Sequence, residues 1–223
     1  MTDCIPVITL DGPAASGKGT IASRVADALG FHYLDSGALY RIATLDALSK
    51  GIDLDDAQAL TAAAQGLSPV FEGGRIFLDG RDVTTAIRAE EVSSATSRVA
   101  VVPGVRAALF ALQKNAARLP GLVADGRDMG TVVFPEAPLK VFMTATARVR
   151  AERRYCQLLE RGETADLEAL TADLEERDRR DSQRATAPLK PAEDARLLDT
   201  SCMGIEEVVK KVHEWWDETK KLS

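Results

Sequence analysis

The residues best suited to chemistry come early: Gly12-Pro13-Ala14-Ala15-Ser16-Gly17-Lys18-Gly19-Thr20. This is the spacing G-x-x-x-x-G-K. Glycines let backbone N–H groups approach an anion closely, and a helix opening at the lysine adds its positive dipole end. Lys18 then supplies a point charge for the outer phosphates of a nucleotide such as ATP. The hydroxyl residue that usually follows such a lysine directly is replaced by Gly19, so Thr20, one place on, is the candidate beside a metal ion. A glycine-rich turn with no ligand is the plain alternative, but the loop falls directly after an apolar strand and opens a helix, which favours a phosphate site.

Two further stretches have the composition of a second anion site. Asp35-Ser36-Gly37-Ala38-Leu39-Tyr40-Arg41 and Leu122-Val123-Ala124-Asp125-Gly126-Arg127-Asp128-Met129-Gly130 each sit at the end of a strand. That is the edge at which open α/β sheets take ligands. Each sets an arginine beside small residues, as anion recognition requires. Arg41 could equally be a solvated helix residue, and Arg127, between Asp125 and Asp128, could be a structural ion-pair partner. Later, Arg177, Asp181 and Arg184 stand at i, i+4 and i+7, on one helix face. Taken alone they read as a surface ladder of ion pairs. The stretch from Arg148 to Arg154, four arginines against one glutamate, reads alone as a solvated helix.

The elements that must carry these residues follow from periodicity. Pro6 to Asp11 is a β-branched apolar run ended by Gly12-Pro13, hence a buried strand and a sharp loop. Ile21, Val25, Ala28 and Leu29 recur at helical spacing and Gly30 stops that helix. A second strand over Phe31 to Leu34 and a helix from Ser36 or Gly37 to about Lys50 begin a parallel sheet with crossovers. Val70-Phe71 and Arg75 to Leu78 around Glu72-Gly73-Gly74 read as a hairpin, the mark of a small antiparallel insertion at about 68–87. Helices are expected over Glu90 to Ala100, Pro103 to Arg118, Ala147 to Arg161 and Asp166 to Arg184. Strands are expected over Leu122 to Asp125, Leu139 to Ala145 and Arg196 to Asp199. A closing helix from Ile205 to Lys221 places Val208, Val209, Val212 and Trp215 near one face. The fold class is therefore α/β: a parallel sheet flanked by helices, carrying a small antiparallel insertion.

The chain has 223 residues, with 28 Lys and Arg against 34 Asp and Glu, a net charge of −6. That balance is the reverse of a nucleic-acid binder's. No apolar run approaches a membrane span and no signal-like leader is visible, so a cytoplasmic protein without membrane partners is expected. Cys4, Cys156 and Cys202 are far apart and odd in number, which reads as three free thiols. His32 and His213 are isolated, and no metal role is assigned to either.

Four motifs together resemble one family. They are Gly17-Lys18-Gly19-Thr20, the run from Leu34 to Arg41, the run from Ala124 through Met129-Gly130 to Pro135, and Glu176-Arg177-Asp178 through Asp181 to Arg184 followed by Ala187-Pro188-Leu189. Over nearly its whole length the chain is similar to the bacterial-type cytidylate kinases. The resemblance implies one P-loop kinase domain over 1–223, with an NMP-binding segment at about 36–100 and a short helical lid at about 147–163. It implies transfer of the γ-phosphate of ATP to CMP or dCMP with Mg²⁺; a monomer acting on these small molecules is expected. By the same resemblance Ser36, Arg41 and Arg127 hold the acceptor phosphate, and Ser97, Arg106 and Asp128 read the base. Arg177, Asp181 and Arg184 reach sugar and phosphates, and Arg153 and Arg154 are lid arginines. Phosphoryl transfer is mostly positioning and cationic stabilisation, which several arginines around one site would serve. A monophosphate is already ionised near pH 7, so no general base is demanded; Asp125 is assigned instead to orienting Mg²⁺. The alternatives are a P-loop kinase for another acceptor, such as UMP or shikimate, or a non-catalytic nucleotide switch.

Overall fold

A computed structural model describes residues 5–72, 74–160 and 162–222. Cys4, Gly73 in the hairpin turn and Arg161 at the expected helix end lie outside the described residues. The chain divides into two compact units: Met1–Leu34 with Ala116–Ser223, and Asp35–Asn115.

The first unit is built on a five-stranded sheet. Its strands are β1 (Val7–Asp11), β2 (His32–Asp35), β6 (Leu122–Gly126), β7 (Leu139–Thr144) and β8 (Arg196–Asp199), in the order β2-β6-β1-β7-β8. β1 runs parallel to β6 and β7, and β7 parallel to β8. β1 is buried along its whole length, as expected of a central strand read as a continuous apolar run. Helices α1 (Lys18–Leu29), α6 (Ala147–Glu160), α7 (Leu167–Gln183) and α8 (Ile205–Leu222) complete the unit. Ile8, Leu10, Val25, Val123, Val141 and Met143 form its core with Val208, Val212 and Trp216 of α8. Here the expected face of α8 is corrected. Trp216, four residues after Val212, is buried against Phe31, whereas Trp215 and Val209 only pack at the edge of the core. Trp215 lies instead beneath the cations of Arg196 and Lys211.

The second unit holds α2 (Ser36–Ser49), α3 (Ala57–Gln65), α4 (Glu90–Val99), α5 (Pro103–Asn115) and an antiparallel sheet of β3 (Val70–Glu72), β4 (Arg75–Leu78) and β5 (Arg81–Asp82). The expected hairpin is present and gains a third strand. α3 matches none of the expected elements, and α5 ends at Asn115 instead of Arg118. Asp56 caps α3 by accepting from Gln58 and Ala59 N–H. α3 packs on α5 so closely that a Cβ at Gly104 would lie 2.1 Å from Thr61 Oγ1.

Candidate active site

The phosphate loop leaves β1 at Gly12, and the neighbouring strand fixes the residue type there. A Cβ on Gly12 would sit 2.2 Å from the Met143 carbonyl oxygen of β7, at a φ of +152°. Gly17, at a φ of 88°, caps α1 in the left-handed region, and Lys18 opens the helix. No acidic residue lies in the first turn of α1, so its positive end is not neutralised from within the helix. Lys18 is buried and its Nζ donates to the Pro13 carbonyl at 3.0 Å. Two arginines of α6 take further carbonyls of the loop. Arg150 donates to Ala14 O at 3.1 Å and Arg153 to Ser16 O at 3.2 Å. With these carbonyls engaged by cations, the loop is shaped by groups that an arriving anion does not need to displace from its N–H side.

Of the residues expected to hold a metal, Asp125 is buried at the end of β6. A Cβ on Gly19 would lie 3.4 Å from Asp125 Oδ2 and 3.3 Å from the Tyr33 hydroxyl. A side chain at Gly19 would therefore press lightly on the Tyr33 hydroxyl and meet that carboxylate at ordinary van der Waals distance. Thr20 is exposed on the first turn of α1. Asp125 and Thr20 are both oxygen donors of the kind Mg²⁺ takes. Among the described residues no group of three or more His, Cys, Asp or Glu could hold a metal on its own. His32 is engaged with the Leu119 carbonyl at 2.9 Å.

A second cationic cluster forms in the same unit. Arg127 Nε donates to Asp181 Oδ2 at 2.8 Å, and Arg184 Nε to the Asp181 carbonyl at 3.2 Å. Burial pushes the Asp181 carboxyl up, but Arg127, Arg184 and Arg177 together hold it below the usual carboxylate range. Arg177 and Asp181 stand on α7, Arg184 caps it just beyond Gln183, and Arg127 joins the group. Asp128 is buried beside it, and its carbonyl accepts from Val132 and Val133 N–H at the head of a π-helical turn, Met129–Val133. Arg154 lies half-buried on α6.

In the second unit, Asp35 organises its end of α2. It accepts from Ala38 N–H at 2.8 Å and pairs with Arg41 at 2.8 Å. A Cβ on Gly37 would come within 3.1 Å of the same carboxylate. Ser36 and Ser97 are buried, and Ser97 Oγ donates to Ser94 O. Arg106 lies 5.7 Å over the Tyr40 ring and donates to the Ala100 carbonyl at 3.4 Å.

Four residues carry weight that sequence reasoning did not assign: Asp11, Asp35, Arg150 and Asp178. Arg150 is 3% exposed and clamps both the Ala14 carbonyl and Asp178 of α7. Within the stretch from Arg148 to Arg154, which reads alone as a solvated helix, Arg150 is instead a core residue. Asp11 accepts from the N–H groups of Met129 and Gly130 at 2.9 and 2.8 Å. Its only local signal was an acid ending an otherwise apolar strand.

A parallel sheet whose central strand runs through a Gly-Lys loop into a helix, with an arginine cluster in the same unit, is the arrangement of a P-loop kinase. The family model described as Cytidylate kinase matches residues 8–218. A Cytidylate kinase of Cupriavidus pinatubonensis is 53% identical over 97% of this chain and 98% of its own length. One of Paraburkholderia phymatum is 56% identical over 95% and 92%. A solved structure of an uncharacterized protein from Eubacterium ventriosum is similar at a TM-score of 0.52 and 10% identity, covering 96% of this chain and 99% of that one; it shows likeness of fold alone. The chain belongs to the cytidylate kinase family.

Proposed function

We propose that the chain transfers the γ-phosphate of ATP to CMP or dCMP, giving CDP or dCDP. The observation that supports this reading is the arginine cluster around Asp181, which adds cations beyond Lys18 of the phosphate loop. A nucleotide switch needs one anion site, whereas a kinase of a phosphorylated acceptor needs two. Relatives 53% and 56% identical over nearly the whole chain favour CMP over the UMP and shikimate alternatives.

In this reading Gly12 to Thr20 hold ATP, and Lys18 supports the charge that spreads over the transferring oxygens. Mg²⁺, when bound near Thr20 and Asp125, supplies further neutralisation of the phosphates. Ser36, Arg41 and Arg127 serve the acceptor phosphate. Arg177, Asp181 and Arg184 serve sugar and phosphates, with Arg184 also adding charge at transfer. Arg153 and Arg154 deliver charge from α6, Arg153 exchanging its hold on Ser16 and Thr200 carbonyls for phosphate oxygens. The acceptor brings its own ionised nucleophile, so these groups position and neutralise and need not remove a proton. The net charge of −6 fits action on small molecules over nucleic acid, and we read the enzyme as a cytoplasmic monomer.

Base choice is assigned to Ser97, Arg106 and Asp128. Cytosine offers an exocyclic amine that a carboxylate accepts from, where uracil offers a carbonyl. A mismatch there strands a buried acceptor. Asp128→Ala should lower kcat/KM with CMP on the order of a hundredfold and with UMP much less. Equal losses with both acceptors would mean that Asp128 only braces the loop around Arg127.

A further inference from the structure

Asp11 ends β1 at the sheet edge where the phosphate loop begins, and pairs in register with Gly126 of β6. It is 5% exposed, and its carboxylate is not directed at the loop that follows it. Each oxygen takes one backbone donor across the chain: Oδ1 the N–H of Met129, Oδ2 the N–H of Gly130. These are the first N–H groups of the π-helical turn, and the opening donors of any helical turn lack partners within it. Asp11 thus caps that turn from another strand. The residue immediately before the capped pair is Asp128. Only a carboxylate can accept from both donors at once in this geometry, because an amide would present its own N–H₂ to one of them. Burial pushes the Asp11 carboxyl up to about 6, and the two N–H donors pull against that shift. Asp128 and Lys18 are the charged groups that act on it, the first raising it and the second lowering it. An acid held at this cost, with no contact assigned to it in transfer, has a mechanical use.

We infer that Asp11 is a positioning residue for acceptor choice: by holding the Met129 and Gly130 N–H groups it fixes the backbone that aims Asp128. The inference rests on the reading of Asp128 as the group that recognises the cytosine amine. Asp11 lies in the central strand, pinned on both sides by β6 and β7, so the grip is anchored to a rigid element. Gly130 completes the device. A Cβ there would lie 2.8 Å from Thr9 Oγ1 and 3.2 Å from Lys140 Cδ, so only glycine lets the turn sit this close to β1.

The test is steady-state kinetics of Asp11→Asn with CMP, UMP and ATP as varied substrates, beside Asp128→Ala. Asp11→Asn keeps the shape and loses one of the two acceptors. KM for CMP should rise about tenfold, the CMP to UMP ratio of kcat/KM should fall about tenfold, and KM for ATP should stay within about twofold. Gly130→Ala, which leaves the carboxylate intact but pushes the turn off β1, should shift the same ratio in the same direction, and it serves if Asp11→Asn does not fold. If Asp128→Ala changes the ratio while Asp11→Asn and Gly130→Ala do not, the inference is overturned and the base-reading role stands. If Asp128→Ala leaves the ratio unchanged, the base-reading role falls and takes this inference with it. Equal increases in KM for ATP and CMP with an unchanged ratio would make Asp11 a prop of the fold alone.

Discussion

Asp11 also gives a stability experiment whose sign and size follow from its surroundings. Its carboxyl titrates at about 6 in the folded chain against 3.8 as a free side chain, with burial as the largest cause. A carboxyl raised on folding favours the folded state while it is protonated. Its contribution is therefore fully present below pH 3.8 and disappears as pH rises through 6. The whole effect is about 3 kcal/mol, of which about 1.3 kcal/mol remains at pH 5 and almost none at pH 7. Asp181 works in the opposite sense. Its carboxyl is lowered, so the stability it contributes is lost as pH falls. Asp11→Asn cannot titrate, and subtracting its unfolding free energy from that of the parent chain isolates the one group. Urea unfolding at pH 5, 6 and 7 should give a difference, parent minus variant, that falls by about 1 kcal/mol from the lowest pH to the highest. A flat difference, or one that rises with pH, would refute the claim that burial dominates at Asp11.

Lys18→Ala should reduce turnover on the order of a hundredfold or more with its far-ultraviolet circular dichroism unchanged, because the charge it supplies matters most in the transition state. A fully active variant would sink the phosphate-loop assignment. Arg150→Met should cost about 3 kcal/mol in urea unfolding, since it strands the partly buried Asp178 and a loop carbonyl. Adding Asp178→Asn should recover part of that loss, and a single variant as stable as the parent would show that the pair does not pin the loop.

What could be seen in the sequence was whatever local spacing encodes. VITLD followed by glycine and proline gave β1 and its loop, and the two runs flanking Glu72 and the glycine pair gave the hairpin. α3 was invisible for a physical reason. Its sequence AQALTAAAQ is mostly alanine, with only Leu60 and Ala64 buried, so its apolar stripe barely contrasts with its polar face. The face of α8 slipped by one residue because adjacent tryptophans both satisfy a loose helical stripe, and only packing against Phe31 selects Trp216. At the candidate site, the i, i+4, i+7 set of Arg177, Asp181 and Arg184 was legible, although Arg184 falls just past the end of α7, but its partner Arg127 is 54 residues from Asp181 in sequence. Asp11 reaches Met129 across 118 residues and Arg150 reaches Ala14 across 136. Such pairings are made by sheet order and helix packing, which no local window records. For the same reason four arginines between Arg148 and Arg154 looked alike, although Arg150 is a core clamp and Arg148 is an exposed partner of Glu152 and Glu168.

The central claim, phosphoryl transfer to a cytidine monophosphate, is met most directly by measuring ADP release from ATP and Mg²⁺ with CMP, dCMP, UMP, AMP and GMP offered separately. ADP should form fast with CMP or dCMP, far more slowly with UMP, and hardly at all with the purine nucleotides or with no acceptor. ADP release that is independent of the acceptor, or fastest with a nucleotide other than CMP and dCMP, would contradict the account.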